Sequence, residues 1–297
     1  MDFATVLEFL TWPILAVLVI GGIHAYLGLH VVERGVIFVD LSLAQIAALG
    51  ATIAVLIPGL HGEDHSSAVT WMSLAFTIFG AFVFAMVKGQ EARIPQEAII
   101  GIAYAVASAG VILAMSKAPA ESEHLNDMLV GTILAVQRRD VFVMAALYAV
   151  LGTFHYVFRK KFLAISLDHE GAVAQGLSVR FWDFLFYASF GFVVTSSVAI
   201  AGVLLVFCYL IVPSVAAMLY ADTVGRRLAI GWTMGTIVSA IGVYLSLVLD
   251  LPTGATIVCT FGIVLALMAA VRPLIRRTNE SGDGRAPVRH ARLSDGV

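Results

Sequence analysis

The sequence predicts an all-α polytopic membrane bundle of about nine transmembrane helices, with one further short re-entrant or interfacial helix. Composition is the first sign: of 297 residues, 60% are hydrophobic and only 13% are charged. The second is arrangement, because the charges fall in short clusters separated by apolar runs long enough to cross ~30 Å of hydrocarbon. The net charge of -2 says little, since orientation in a membrane depends on where Lys and Arg lie and not on their sum.

The apolar segments run over Thr11–Val32, Phe38–Pro58, Thr70–Val87, Glu97–Met115, Val141–Phe158, Phe181–Ala199, Val203–Tyr220, Leu228–Leu249 and Ala255–Val271. Each is long enough to span with modest tilt. Leu125–Val136 is apolar but too short, which makes it the re-entrant or interfacial candidate. If the spans alternate, Arg34, Lys88, Arg93, Arg159, Lys160, Lys161, Arg226, Arg227, Arg272, Arg276 and Arg277 all fall on one side. That side is the cytoplasm by the positive-inside rule, with the N-terminus outside and the C-terminus inside. Lys117, Arg138 and Arg139 are the basic exceptions on the other side. The N-terminus has no basic region and no small-residue cleavage pattern, so the first span is expected to stay in the mature protein. Residues 1–277 are expected to form the transmembrane domain. The polar, small-residue-rich stretch 278–297 has no apolar periodicity and is expected to be a disordered cytoplasmic tail.

One span stands out. Ala199–Arg227, AIAGVLLVFCYLIVPSVAAMLYADTVGRR, turns near Ala201 and Gly202, carries Pro213 in its interior, and closes on Asp222, Arg226 and Arg227. The proline frees a carbonyl that neighbouring helices or water must satisfy. The stretch reads as a helix descending onto a cytoplasmic partner. Cys208 and Cys259 both lie in spans, where a small hydrophobe is the natural role.

Polar groups inside spans are candidates for function, because an ionised carboxylate at mid-membrane costs ~2.5–3.5 kcal/mol on insertion scales. Asp40 leads. It opens the second span in FVDLSLAQIAALGA, with Ser42 and Gln45 following and Ala44, Ala47, Ala48, Gly50 and Ala51 allowing a neighbour to approach closely. On a helix Ser42 and Gln45 are ~60° apart and Asp40 and Gln45 ~140° apart, so the three do not grip one ion without a break in the helix. The other reading of Asp40 is a helix cap near the inner interface. His24 and His30, six residues apart, point to opposite sides and read as packed histidines, as does His155; Glu97 after Pro95 reads as an ordinary helix start.

Two loops on the outer side carry metal-ligand chemistry. One places His61, Glu63, Asp64 and His65 within five residues; the other carries Glu121, Glu123, His124 and Asp127. Imidazole with carboxylate suits zinc or manganese. The same loops equally read as solvated turns, or as an acidic rim for a soluble partner. The sequence has no glycine-rich phosphate loop and no soluble domain, so nucleotide must be used by a partner; the chain is read as a non-enzymatic subunit that binds no cofactor of its own and addresses a membrane rather than nucleic acid.

Four stretches bring a family into view. KFLAISLDHEGAVAQGL at Lys161–Leu177, the Gly-Val-Leu-Leu-Val run leading to Pro-x-x-x-Ala between Val198 and Ala221, GVYLSLVLDLPTGATIV at Gly242–Val258, and HLNDMLVGTILAV at His124–Val136 occur in one order up to Arg272. Together they resemble the permease subunits of bacterial ABC importers for zinc, manganese or iron. The resemblance implies a homodimer in the bacterial inner membrane, two cytoplasmic ATPase subunits that use the ATP, an extracytoplasmic metal-binding protein, and a transported divalent metal ion. It also implies a coupling role for Asp168, Glu170 and Gly176 and for Ala221–Arg227, among them Asp222, Gly225, Arg226 and Arg227. One departure affects the cargo. Where many members have Gly-Asp with a His four residues after the Asp, this chain has Val39 before a shifted Asp40, and Gln45 in the place of the His. An amide oxygen is a harder, weaker ligand than imidazole, which favours manganese or iron(II) over zinc and leaves room for a chelated cargo such as a siderophore or corrinoid. A reading of another class, an ATP-independent secondary transporter or channel, is opposed by the Asp222–Arg227 cluster.

Overall fold

A computed structural model describes residues 3–57, 65–87, 94–117 and 133–282. All the long elements among them are helices: α1 Phe3–Glu33, α2 Val39–Leu56, α3 His65–Val87, α4 Gln96–Met115, α5 Arg138–Val157, α6 Arg159–Leu167, α7 His169–Ala174, α8 Val179–Ala201, α9 Val203–Tyr220, α10 Val224–Leu249 and α11 Thr253–Gly282. Nine of these are long and apolar enough to cross a membrane, in agreement with the sequence. Most of the short Leu125–Val136 segment lies outside the described residues. Its end forms a 3-10 turn, Ile133–Ala135, with Ile133 buried against α1. Helix α11 continues past Thr278 to Gly282.

The spans sort into two groups. Helices α2, α3, α4 and α8 pack on one another, and α1, α9, α10 and α11 form the second group, with α5 resting on α1. Small residues set both seams, as close packing in a bilayer requires. A Cβ placed on Gly50 of α2 would stand 2.7 Å from the Met72 carbonyl oxygen of α3. One on Gly28 of α1 would stand 1.9 Å from the Leu210 carbonyl oxygen of α9, so those two backbones touch directly. Pro213 sits in the interior of α9, and beside it Ser214 Oγ donates to the Leu210 carbonyl at 2.9 Å.

The helix ends follow local chemistry. Gly35 at φ +66° lets its own N–H reach the Val32 carbonyl and the Val36 N–H reach that of Val31, which closes the last turn of α1. Asp168 caps α7 by accepting from the Gly171 N–H at 2.9 Å, and Gly176 at φ +75° ends the same helix. Contacts between α1, α2, α3, α4, α6, α8 and α10 bring Glu33, Arg34, Phe38, Gln96, Ser166, Asp183 and Arg227 to one end of the bundle, the end that also carries Arg159, Lys160, Lys161 and Arg226. We call it the basic end.

Candidate functional site

Asp40 lies in the first turn of α2 at the basic end, 1% exposed. It is not the capping residue. Phe38 holds that position, and Glu97 of α4 accepts from the Phe38 N–H at 3.0 Å, so the start of α2 is capped from a neighbouring helix. Backbone N–H groups of Asp40 and Leu41 lie against the Asp40 carboxylate, where the positive end of the helix dipole favours it. Its Oδ1 is nevertheless buried without a hydrogen-bond partner, as are Glu97 Oε2 and Ser42 Oγ. Gln45 is half-buried. Asp40, Ala44, Ala47 and Ala51 follow one another at helical spacing, and the last three line a cavity of about 40 Å³ with Thr52, Ser73 and Thr195. The stripe of small residues therefore leads from that cavity toward a carboxylate with an uncommitted oxygen.

The second buried acid of the spans has a different fate. Asp183 of α8 pairs with Arg34, which follows α1, and both side chains are fully buried. The Arg34 guanidinium stacks 4.0 Å from the Phe186 ring centroid and its Nε donates to Ser166 Oγ at 2.8 Å. His30 Nδ1 meets the same hydroxyl at 2.9 Å. His155 Nε2 lies 2.8 Å from Ser189 Oγ, whose own hydrogen goes to the carbonyls of α8, so the imidazole donates. His24 Nδ1 lies 2.8 Å from the Ile20 carbonyl oxygen. All three histidines are buried, each with its other ring nitrogen without a hydrogen-bond partner, and no set of three metal-ligating side chains forms among the described residues.

The coupling residues divide into exposed and committed ones. Asp168, Glu170 and Gly176 are exposed around α7, and Asp222, Gly225 and Arg226 are exposed at the α9–α10 turn. Arg227 is committed inside the chain: its Nε donates to the Ala221 carbonyl at 2.9 Å and its Nη1 to Glu33 of α1. This pins the turn to the end of α1. Of the outer-loop residues, His61, Glu63, Asp64, Glu121, Glu123, His124 and Asp127 lie outside the described residues, and His65 opens α3 with its side chain undescribed. Nothing local in the sequence joins Arg34 to Asp183, which lie 149 positions apart. The available signal was a charge placed just past an apolar run, which must find an opposite charge when buried.

The described residues form a helical bundle with nine helices long and apolar enough to cross a membrane, a buried carboxylate on a small-residue stripe, and an exposed short helix at one end. The family model described as the ABC 3 transport family matches residues 6–272, and the chain belongs to that family. Among its relatives is the manganese transport system membrane protein MntC of Listeria innocua, 24% identical over 265 residues, covering 89% of this chain and 91% of the relative. The chelated iron transport system membrane protein YfeC of Yersinia pestis is 31% identical over 166 residues, 56% of each chain. The fold is similar to that of a chain of PsaBC from Streptococcus pneumoniae in complex with Fab, with a TM-score of 0.72, 23% identity, and coverage of 90% of this chain and 94% of that one.

Proposed function

We propose that the chain is the permease subunit of an ATP-driven importer of a divalent transition metal ion, manganese or iron(II) ahead of zinc. It works as a homodimer with two cytoplasmic ATPase subunits and an extracytoplasmic metal-binding protein, with the basic end facing the cytoplasm. Family membership and relatives named for manganese and iron transport support the cargo class. The observation that carries it to a residue is Asp40. Of the two fully buried acids in the spans, Asp183 is neutralised by Arg34, whereas Asp40 has no ion-pair partner among the described residues and keeps a free oxygen. A hard oxygen ligand suits a divalent first-row ion, and conduction requires that binding be weak enough to release.

Asp40, Ser42 and Gln45 form the inner part of the path, and the loops with His61, Glu63, His65 and His124 hand the ion over at the outer side. Exposed α7 with Asp168, Glu170 and Gly176, and the turn with Asp222, Gly225 and Arg226, receive the ATPase. Arg227 transmits their motion to α1 through Glu33. Nucleotide-driven closure of the ATPases then shifts the dimer between outward and inward states. A host lacking its own importers, grown in metal-depleted medium, tests the cargo: growth rescue by free manganese or iron(II) is the expected result. Rescue only when a chelator accompanies the metal transfers the assignment to a chelate permease, the second reading, which the likeness to a chelated-iron relative keeps in view.

A further inference from the structure

A groove runs between α1, α5 and α10, remote from Asp40. Its wider part, about 500 Å³, is lined by Ile23, Tyr26, Gly152, Tyr156, Arg159 and Trp232. It continues past Gly22 and Trp232, which both parts share, into a further 260 Å³ beside Gly21 and Gly235. The walls are almost wholly apolar, and the one cationic group lies at the basic end. Measured along α10 from Val224 to Thr236, the groove is ~18 Å deep at ~1.5 Å per residue. One leaflet of hydrocarbon is ~15 Å, half of the ~30 Å core.

The floor is kept open by residues that have no packing reason to be small. A Cβ on Gly22 or Gly235 would meet nothing within 4 Å, yet each glycine sits in a helix interior, where it costs ~1 kcal/mol relative to alanine. Trp232 Nε1 donates to the Gly22 carbonyl at 2.9 Å and so fixes the separation of α1 and α10 across that floor. At the mouth, the Arg159 guanidinium lies 4.3 Å from the Tyr156 ring centroid and donates to the Tyr156 carbonyl at 3.0 Å. Among the described residues it has no carboxylate partner, while Glu33 nearby in the bundle end is already neutralised by Arg227.

We propose that this groove binds one anionic phospholipid, with the phosphate on Arg159 and one acyl chain laid over Gly22 and Gly235. A cationic group at the basic end with no carboxylate partner among the described residues and an apolar channel about one leaflet deep fit that ligand, and basic pockets between membrane helices take anionic headgroups. The lipid fills the groove and braces α5 against α1 and α10.

The test uses the full chain in nanodiscs of phosphatidylcholine and phosphatidylglycerol in equal amounts, followed by native mass spectrometry after transfer to detergent. The expected result is one retained lipid per chain, phosphatidylglycerol over phosphatidylcholine by about tenfold, or ~1.4 kcal/mol. Arg159→Gln should bring that ratio to about unity with lipid still retained, consistent with a point-charge contribution. Gly22→Leu combined with Gly235→Leu should abolish retention, because a Cβ at either position already enters the open space that the acyl chain takes. An unchanged lipid ratio in Arg159→Gln overturns the proposal on its own, whether or not the leucine variant folds. A disulfide joining two copies through Gly235→Cys in the membrane also overturns it, by assigning the groove to a second copy.

Discussion

Replacing Asp183 with asparagine should destabilise the protein more than any other single substitution of a polar residue in the spans. The carboxylate and the Arg34 guanidinium are both fully buried, and the guanidinium is further held by Ser166 Oγ at 2.8 Å and by the Phe186 ring. Asp183→Asn keeps the shape but leaves the arginine charge buried without a counter-charge, and removing one member of such a pair costs about 3–5 kcal/mol. For a chain of this length that is a fall of roughly 10 °C in melting temperature. The pair is weak evidence for stability in itself, because its formation desolvates two ions. Replacing both members with apolar groups, Asp183→Leu with Arg34→Met, should therefore recover most of the loss; Ser166 Oγ still has His30 Nδ1 at 2.9 Å as a partner. Melting of the purified protein in detergent, followed by tryptophan fluorescence, measures all three. An Asp183→Asn variant within about 2 °C of the parent, or a double variant as unstable as the single one, would refute the reasoning.

Gly28→Ala should cost about 3 kcal/mol or more, since its Cβ would lie 1.9 Å from a backbone oxygen that cannot swing aside, whereas Gly22→Ala should be neutral or stabilising by up to ~1 kcal/mol; the same melts check both. Asp40→Asn should lower metal uptake severalfold and His61→Ala less, measured with radioactive manganese in cells, and equal uptake by Asp40→Asn and the parent would reduce Asp40 to a helix-end carboxylate. Asp222→Ala with Arg226→Ala should abolish uptake while membrane insertion and melting stay normal, because both side chains are exposed. Arg227→Ala should lower both uptake and melting temperature, because it also cuts the ties to Ala221 and Glu33.

Much of this architecture was legible because a bilayer imposes length and composition on every span. The small-residue run after Asp40 announced a close helix approach, and Gly50 against Met72 is that contact. Gly202 at φ +78° is the break between α8 and α9 where the sequence turns. Two short helices, α6 and α7, register in the sequence only as an inner segment, because nine and six residues are too few for periodicity to show. The Asp168-x-x-Gly171 cap was the signal for α7. Long-range pairs were out of reach: Arg34 and Asp183 are 149 positions apart, and Glu33 and Arg227 are 194 apart, so nothing local joins them. In the sequence Arg227 therefore reads as a surface contact, although its Nε and Nη1 are both committed inside the fold. The same limit applies to the cap on α2, which Glu97 supplies from 59 positions away.

The most direct test of the account is metal uptake into proteoliposomes that contain this chain with and without its ATPase. Import of manganese or iron(II) that requires both the ATPase and ATP, and that falls with Asp40→Asn, is the predicted result. Uptake by the chain alone, at a rate indifferent to ATP, would contradict it and make the protein a channel or secondary carrier.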